Sequence, residues 1–268
     1  MSNLTTNDTQ LFVGIDVGST TTKIVAINPE KHEILLSNYK RHNAAQAQSL
    51  QNALTFFESN FPNARIRLAL TGSGAKHLAE ALGCCYIQEV VANSIALRSK
   101  YEDVGTAIEL GGQDAKIISL TPDGRMSNFI MNDKCAAGTG RFLEVMANIL
   151  RLDIDDLGAI ADQSDSPAAI SSTCTVFAES EVISQLANGT KRPDLVAGIC
   201  QSVATRVASL ARRAGIVERV CMSGGVARNE AVRRYMAQAL DAEISYDPLA
   251  QYFGAIGAAL YAWKQANK

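Results

Sequence analysis

Two separate stretches of the sequence each predict three consecutive strands joined by short turns. The first stretch contains strands at 11–17, 22–28 and 34–39, and the second contains strands at 106–110, 114–120 and 126–131. These segments are rich in apolar and β-branched residues and are bounded by Gly, Ser, Asp or Pro, which is typical of strand meanders. Helical patterns follow each meander. We therefore expect an α/β fold of two lobes with duplicated mixed sheets.

The remaining elements complete these two lobes. The spacing of apolar residues predicts helices at 44–60, 74–82, 90–101, 136–150, 176–186, 193–214, 227–240 and 249–264, and further strands at 65–71, 169–173, 219–222 and 243–246. A chain of 268 residues is long enough for each lobe to bury its own core. We predict an N-terminal lobe at 1–104 and a C-terminal lobe at 105–268, whose last helix is able to pack back onto the first lobe.

The composition is that of a folded protein in water. The chain is 47% hydrophobic and 19% charged, which argues against a disordered chain. Its net charge of −2 provides no basic field for nucleic acid. The apolar runs are shorter than the roughly 18 residues of a membrane span, and the polar N-terminus does not read as an export signal. We therefore expect a cytoplasmic protein with reduced thiols and neither nucleic acid nor membrane as a partner.

The turn between the first two strands has the composition of a phosphate-binding loop. Asp16 ends the first strand, and Lys23 lies in the second. The residues between them that offer backbone N–H groups or hydroxyls to phosphate oxygens are Gly18, Ser19, Thr20, Thr21 and Thr22. Lys23 is expected to neutralise phosphate charge, and Asp16 to hold Mg²⁺ through water. The spacing is not that of a Walker loop, and an ordinary hairpin turn with an exposed lysine is the alternative.

Three further motifs extend this pattern along the chain. Glu109 stands before Gly111, Gly112, Gln113 and Asp114 at the opening of the second lobe. A later strand-to-helix turn contains Gly224, Gly225 and Val226, and Gln251 precedes the small-residue segment 253–258. Glycines permit close backbone approach to a ligand, although each Gly-Gly alone is ordinary turn chemistry. In this order the four segments resemble the phosphate 1, phosphate 2, adenosine and connecting segments of the sugar kinase, Hsp70 and actin superfamily.

Two of the six cysteines share a predicted setting. Cys135 and Cys174 each stand at the predicted start of a helix, where the partial positive charge lowers a thiol pKa and favours anionic sulfur ligands. An iron-sulfur cubane takes four thiolates. Since one chain offers two, a two-fold axis through a shared cluster would supply the others, which predicts a homodimer. A shared four-cysteine zinc site and two structural cysteines are the alternatives.

The other cysteines and the histidines have no such pattern. The adjacent pair Cys84 and Cys85 is expected to be structural or incidental, and Cys200 and Cys221 are expected in the core. The three histidines lack a companion at metal or triad spacing. His32 and His42 lie in polar segments and are expected to be exposed.

The cysteine segments and glycine motifs together resemble one family. The segments 131–150 (MNDKCAAGTGRFLEVMANIL) and 171–186 (SSTCTVFAESEVISQL), with GIDVGST, GGQD, SGGVARN and PLAQYFGAIGAALYA, resemble the activator (component A) of 2-hydroxyacyl-CoA dehydratases, of the BadF/BadG/BcrA/BcrD ATPase type. The resemblance runs from about residue 11 to near the end. It implies that Cys135 and Cys174 ligate one 4Fe-4S cluster per homodimer. Many members carry Asp where this chain has Glu109, which keeps the carboxylate but lengthens its reach.

The expected mechanism is ATP-driven electron transfer. The resemblance implies that ATP hydrolysis drives an electron from the cluster to a partner, such as a 2-hydroxyacyl-CoA dehydratase, a benzoyl-CoA reductase-type enzyme or a double-cubane cluster protein, with a ferredoxin or flavodoxin as donor. We expect ATP or ADP and Mg²⁺ between the lobes, with Asp16 and Glu109 positioning Mg²⁺ and either Gln113 or Asp114 orienting the attacking water. The nucleoside is expected at Gly224, Gly225, Val226 and Gln251. The alternatives are a sugar-type kinase of the same superfamily and a zinc-bridged nucleotide sensor.

Overall fold

The computed structural model describes residues 10–171 and 174–268. The contacts divide these residues into two compact units. The first unit contains the described residues up to Tyr101 together with Tyr252–Lys268, and the second contains Glu102–Gln251. Each unit is built around its own five-stranded mixed sheet.

The sheet of the first unit has the order β3-β2-β1-β4-β5. Its strands are β1 (Gln10–Val17), β2 (Thr21–Ile27), β3 (Ile34–Arg41), β4 (Arg65–Thr71) and β5 (Cys85–Tyr86), and its first helices are α1 (Gln46–Asn60), α2 (Lys76–Leu82) and α3 (Glu89–Lys100). β1 runs antiparallel to β2 and parallel to β4. After its first residue β1 is buried along its whole length. Because successive strand residues point to opposite faces, both faces of the sheet are covered at this strand.

The sheet of the second unit has the order β8-β7-β6-β9-β10. Its strands are β6 (Thr106–Leu110), β7 (Ala115–Leu120), β8 (Met126–Asn132), β9 (Val220–Ser223) and β10 (Ile244–Tyr246). Its helices are α4 (Gly140–Leu150), α5 (Leu157–Ala161), α6 (Thr175–Ala187), α7 (Arg192–Ala214) and α8 (Glu230–Leu240), with 3-10 turns at Ile154–Asp156 and Gly225–Arg228. The long α7 packs on β7, β8 and the neighbouring helices, and its buried face forms much of the core.

The two sheets are structural duplicates. In each, an antiparallel meander is extended by two parallel strands on the same side of its first strand. The pairing register also repeats, because Asp16 lies opposite Lys23 and Glu109 lies opposite Lys116. An irregularity in the second strand of each meander recurs as well. The predicted duplication of mixed sheets is therefore confirmed.

The last helix, α9 (Phe253–Ala266), follows a 3-10 turn at Ala250–Tyr252 and belongs to the first unit. It packs on β1, β4 and α3. The approach is very close: a Cβ atom added to Gly14 would lie 1.9 Å from the Ala255 carbonyl oxygen, and one added to Gly257 would lie 1.8 Å from the Ala92 carbonyl oxygen. The small residues of this segment are therefore required by backbone-to-backbone packing.

Several element predictions need correction. The helix predicted from 136 begins at Gly140. Of the strand predicted at 169–173, residues 169–171 form no strand, and residues 172–173 lie outside the described part of the chain. The predicted helix at 227–240 is a 3-10 turn followed by α8. Within the described ranges, no helix is long and apolar enough to cross a membrane.

The close packing of α9 predicts an unusual response to an alanine substitution. Gly→Ala inside a helix normally stabilises it by about 0.5–1 kcal/mol. Gly257→Ala should instead destabilise the protein by about 1–3 kcal/mol, because the added methyl group meets the Ala92 backbone. The measurement is urea unfolding followed by circular dichroism.

The matched control is Gly158→Ala in α5. A Cβ atom there would lie 3.5 Å from its nearest neighbours, which is an ordinary contact. This variant should be neutral or slightly more stable. A Gly257→Ala protein at least as stable as the Gly158→Ala protein would contradict the packing described for α9.

Candidate functional site

The loop between β1 and β2 begins at a buried carboxylate. Asp16 is buried near the end of β1, and Lys23 on β2 donates to its Oδ2 at 2.8 Å. Burial by itself lowers the pKa of the Lys23 amine, but the Asp16 carboxylate outweighs it and raises that pKa above its usual value. Gly18 N donates to Thr21 O at 3.0 Å and closes the turn. In the free protein, Lys23 therefore balances the charge of Asp16.

The second oxygen of Asp16 has no such partner. Asp16 Oδ1 and the hydroxyl of Thr71, which lies opposite Asp16 on β4, are buried and have no hydrogen bond within the described residues. A Cβ atom at Gly72 would lie 2.5 Å from Oδ1, and one at Gly254 would lie 2.9 Å from Oδ2. The backbone of two glycines therefore approaches the carboxylate, one directly after β4 and the other in α9. Buried polar atoms normally have partners, so this position suits a ligand oxygen, a metal-bound water or a cation.

The predicted loop residues do not all face this carboxylate. Ser19 and Thr20 are half-buried in the turn beside Gly18. Thr22 lines a small cavity together with Ser49 and Ala53 of α1. Neighbouring strand residues point to opposite faces, so Thr22 lies on the other face of β2 from Lys23. The structure therefore brings Lys23 to Asp16 but directs the Thr22 side chain toward α1.

His42 contacts the β1–β2 loop, although it was not predicted to be part of this site. The sequence suggested an exposed histidine, which is wrong: His42 is 5% exposed. Its Nε2 lies 3.0 Å from the carbonyl oxygen of Gly18. The local sequence is polar and carries no signal of this contact, which arises because β3 ends beside the β1–β2 turn. The prediction that His32 is exposed is confirmed.

The second unit repeats the carboxylate arrangement with an additional acid. Lys116 on β7 lies 2.8 Å from Glu109 Oε2 and 3.0 Å from Asp114 Oδ2, and its side chain is 3% exposed. Gly111 N donates to Asp114 O at 2.9 Å, as Gly18 N does to Thr21 O in the first unit. Sequence reasoning did not select Lys116. The signal was its spacing from Glu109, which repeats that of Lys23 from Asp16.

The predicted nucleoside segment begins beside this carboxylate. Ser223 lies opposite Glu109 at the end of β9, and its buried hydroxyl has no hydrogen bond within the described ranges. Gly224 follows with φ +83°, and a Cβ atom there would lie 2.3 Å from Leu110 O. This repeats Thr71 and Gly72 of the first unit. Gly224 N donates to Ala250 O at 3.2 Å, next to Gln251.

Cys135 does not stand at a helix N-terminus, contrary to the prediction. It lies in the loop between β8 and α4, and α4 begins only at Gly140 with Thr139 as its N-cap residue. Gly138 has φ +86°, which interrupts any helix before that point. Asn132 Nδ2 donates to the carbonyl oxygens of Cys135 and Ala137 at 3.0 and 3.2 Å. The loop is therefore held by hydrogen bonds, and the helix-dipole argument does not apply to Cys135.

The cysteine loop is connected directly to the second glycine turn. Gly140 N donates to Gly111 O at 3.0 Å, and Arg141 N donates to Gly112 O at 2.7 Å. The first amides of a helix have no partner inside the helix, and in α4 these two are bound by the turn. A displacement of Gly111 and Gly112 therefore acts on the start of α4 through two hydrogen bonds.

Cys174 has the predicted placement as the N-cap residue of α6. Its side chain is half-buried. The first turn of α6 exposes Val176 and Phe177, at 65% and 68%, and Ile183 further along is 50% exposed. Apolar side chains this exposed, so close together, are typical of a surface that another protein covers.

Cys200 and Cys221 lie in the core, as predicted. Burial raises the pKa of the Cys200 and Cys221 thiols to about 12, so both stay protonated as core residues. Cys84 is half-buried and Cys85 is exposed. In residues 10–171 and 174–268, no group of three or more His, Cys, Asp or Glu side chains is arranged to hold a metal. Within these ranges one chain offers no complete four-ligand site.

Comparison with known proteins gives consistent matches. Residues 13–262 match the BadF/BadG/BcrA/BcrD ATPase family. The chain is 46% identical to the (R)-2-hydroxyglutaryl-CoA dehydratase activating ATPase of Acidaminococcus fermentans, over 96% of this chain and 98% of that protein. The activator of the 2-hydroxyisocaproyl-CoA dehydratase from Clostridium difficile, solved with bound ADPNP, is 40% identical with a TM-score of 0.87 and 96% coverage of both chains.

A more distant likeness concerns the fold alone. A ROK family glucokinase from Streptomyces griseus, solved with glucose and AMPPNP, has a TM-score of 0.57 at 15% identity, covering 95% of this chain and 99% of that one. The predicted actin/Hsp70/sugar-kinase-like fold is thereby confirmed.

The buried Lys116 predicts a large loss of stability on substitution. Lys116→Met removes the cation and leaves Glu109 and Asp114 without their shared partner. Breaking a buried pair in this way costs about 3–5 kcal/mol. The measurement is the free energy of unfolding in urea.

Lys191→Met is the control, because Lys191 and Asp165 form a pair that is largely exposed. Exposed pairs contribute roughly 0–1 kcal/mol. If the two variants lost similar amounts of stability, the buried pair would not have the role described here.

Proposed function

Because the chain belongs to the BadF/BadG/BcrA/BcrD ATPase family, we propose that it is an ATP-dependent activator that transfers a low-potential electron to a partner enzyme. The observation that carries the proposal is the pair of hydrogen bonds from Gly140 and Arg141 to the Gly111-Gly112 turn. They join a candidate phosphate loop to the segment that bears Cys135.

In the nucleotide site, Asp16 would hold Mg²⁺ and its waters, and Glu109 is the corresponding carboxylate of the second unit. Asp16 Oδ1, which has no hydrogen bond within residues 10–171 and 174–268, supports this role, since Mg²⁺ prefers oxygen ligands and retains several waters. Gly18 and Ser19–Thr21 of the first unit would bind phosphate, as would Gly111 and Gly112 of the second. Lys23 is available to move from Asp16 to phosphate once a cation reaches the carboxylate.

Gln113 is the preferred group for orienting the attacking water. Asp114 is engaged by Lys116, whereas Gln113 is exposed in the turn. Phosphoryl transfer depends mainly on positioning and charge stabilisation, so an amide that orients water is sufficient. The nucleoside is held by Gly224, Gly225, Val226 and Gln251.

Cys135 and Cys174 are the candidate ligands of a 4Fe-4S cluster shared by two copies of the chain. Their thiols fit this role, because neither is enclosed in the core and two from each of two copies would make the four that a cubane takes. The apolar side chains exposed on α6, beside Cys174, support a covering second subunit. When bound, such a cluster supplies a one-electron redox centre.

Nucleotide binding and electron transfer are coupled through the loop contacts. The two states of the protein must bind ATP and ADP with different affinity for hydrolysis to shift their populations. The Gly111 and Gly112 carbonyls are restrained by α4 on one side and, in this proposal, their turn contacts phosphate on the other. Loss of the γ-phosphate would then relax the Cys135 loop.

The partner is an iron-sulfur dehydratase or reductase, and the donor is a ferredoxin or flavodoxin. The named role of the relatives as dehydratase activators supports the first of these assignments. The kinase alternative is not favoured, because likeness to sugar kinases extends only to the fold.

Replacement of Asp16 tests the nucleotide site. Asp16→Asn keeps the side-chain shape but removes the charge that holds Mg²⁺. We expect ATP turnover to fall by at least about 10²-fold, as when other charge-stabilising groups are removed from active sites. The measurement is phosphate release by the purified homodimer, with Asp165→Asn as a surface control. Unchanged turnover in Asp16→Asn would exclude Asp16 from the site.

Anaerobic spectroscopy tests the cysteine site. The reduced protein should give the visible absorption and electron paramagnetic resonance signals of a single cubane per dimer. Cys135→Ser and Cys174→Ser should each abolish them and weaken dimerisation, because each substitution removes two of the four ligands. Cys85→Ser, at an exposed thiol, should leave them unchanged. A colourless, iron-free protein would overturn the cluster, and stoichiometric zinc would favour the zinc-bridged sensor.

A further inference from the structure

His42 occupies an unusual position directly after β3. The two residues that follow it, Asn43 and Ala44, have positive φ values of 46° and 67°. Residues other than glycine rarely adopt this conformation, and it persists only where surrounding contacts impose it. Here it turns the chain so that the imidazole faces the β1–β2 loop.

Both ring nitrogens of His42 are engaged. Ala44 N donates to Nδ1 at 3.2 Å, so Nδ1 carries no proton. The proton of the neutral ring therefore lies on Nε2, which donates to Gly18 O at 3.0 Å. The backbone of His42 adds a second link, because its N–H donates to Thr20 O at 3.2 Å. One residue thus restrains two carbonyl groups of the loop.

A hydrogen bond that holds a carbonyl group also fixes the direction of the N–H in the same peptide group. The peptide group is planar and trans, so its C=O and N–H point in opposite directions. With Gly18 O directed at His42, the Ser19 N–H is directed away from His42. Gln46 reinforces the orientation, since its Nε2 lies 3.5 Å from the same carbonyl. A Cβ atom at Gly74 would lie 2.6 Å from the Gln46 amide, so Gly74 leaves the room that this side chain needs.

The second unit restrains the equivalent carbonyl by other means. Gly111 occupies the position of Gly18 in the duplicated turn, since the N–H of each donates to the carbonyl oxygen of the residue three positions later. Gly111 O accepts from Gly140 N at 3.0 Å, at the start of α4. A helix amide in one unit and a histidine side chain in the other therefore perform the same task.

We propose that His42 is a positioning residue of the nucleotide site, which orients the Gly18-Ser19 peptide so that its N–H meets a phosphate oxygen of ATP or ADP. This assignment rests on the nucleotide site proposed above. His42 itself does not touch the nucleotide. Loss of one neutral hydrogen bond should weaken nucleotide binding about five-fold.

Three variants separate the two hydrogen bonds of the ring. His42→Gln can place an amide nitrogen near the Nε2 position and still donate to Gly18 O. His42→Asn is shorter and retains only an acceptor for Ala44 N. His42→Phe retains the ring and neither bond. The affinity for Mg-ADP, measured by calorimetry on the intact homodimer, should be near wild type in His42→Gln and about five-fold weaker in the other two.

The control is His77→Asn, because His77 is exposed and pairs only weakly with Glu80. Its affinity should equal that of the wild type. Equal affinities of His42→Asn and His42→Gln would overturn the positioning role, as would a His42→Gln protein no better than His42→Phe. Failure of the wild type to bind either ADP or ATP would overturn the proposed function and this assignment together.

A measurement on the wild-type protein tests the proposal even where the variants fail to fold. The chain contains three histidines, so ¹⁵N-histidine labelling yields only three ring systems to assign. His42 should show a protonated Nε2 and an unprotonated Nδ1, and its resonances should shift when Mg-ADP is added. His32 and His77 should not shift. A proton on Nδ1 of His42, or no response to Mg-ADP, would contradict the proposal.

Discussion

In each unit a carboxylate is buried near the end of the central strand and balanced by a lysine from the neighbouring strand. A buried carboxylate is costly unless it is paired and hydrogen-bonded. The antiparallel register supplies that partner, because it places Lys23 opposite Asp16 and Lys116 opposite Glu109. The surrounding glycines then have a physical reason: side chains at Gly72 or Gly254 would collide with the Asp16 carboxylate. The hairpin register thus provides the charge partner of each carboxylate, and the glycines provide the room around Asp16.

The two units satisfy this constraint differently. In the first, Asp16 has one lysine and an oxygen without a hydrogen bond to the described residues. In the second, Lys116 is shared between Glu109 and Asp114 and is more deeply enclosed. The first carboxylate is therefore better suited to receive a cation, whereas the second is held in place by its own partner. The two units therefore share one scaffold but differ in how their carboxylates are paired.

In the turn that follows each carboxylate, a hydrogen bond holds the carbonyl oxygen of the first glycine. The N–H of the same peptide group therefore points away from that hydrogen-bond partner. Gly18 O is held by His42, and Gly111 O by the first amide of α4. This difference has a functional consequence. The first turn is anchored to the residue that directly follows β3. The second is anchored to the helix that follows Cys135, so a displacement of this turn acts on the start of that helix.

Local patterns were sufficient to predict the duplicated meanders, most helices, the Asp16 and Glu109 loops and the core positions of Cys200 and Cys221. Apolar periodicity and turn glycines act between residues close in sequence, and so they can be read directly from it. Tertiary structure alone decided three features. His42 is buried because β3 ends beside a loop more than twenty residues earlier. Lys116 bridges two acids because the hairpin register brings them together. Cys135 stands before α4 and not at its start because Gly138 adopts a positive φ, and the first amide of the helix, Gly140 N, is bound by the distant Gly111 O.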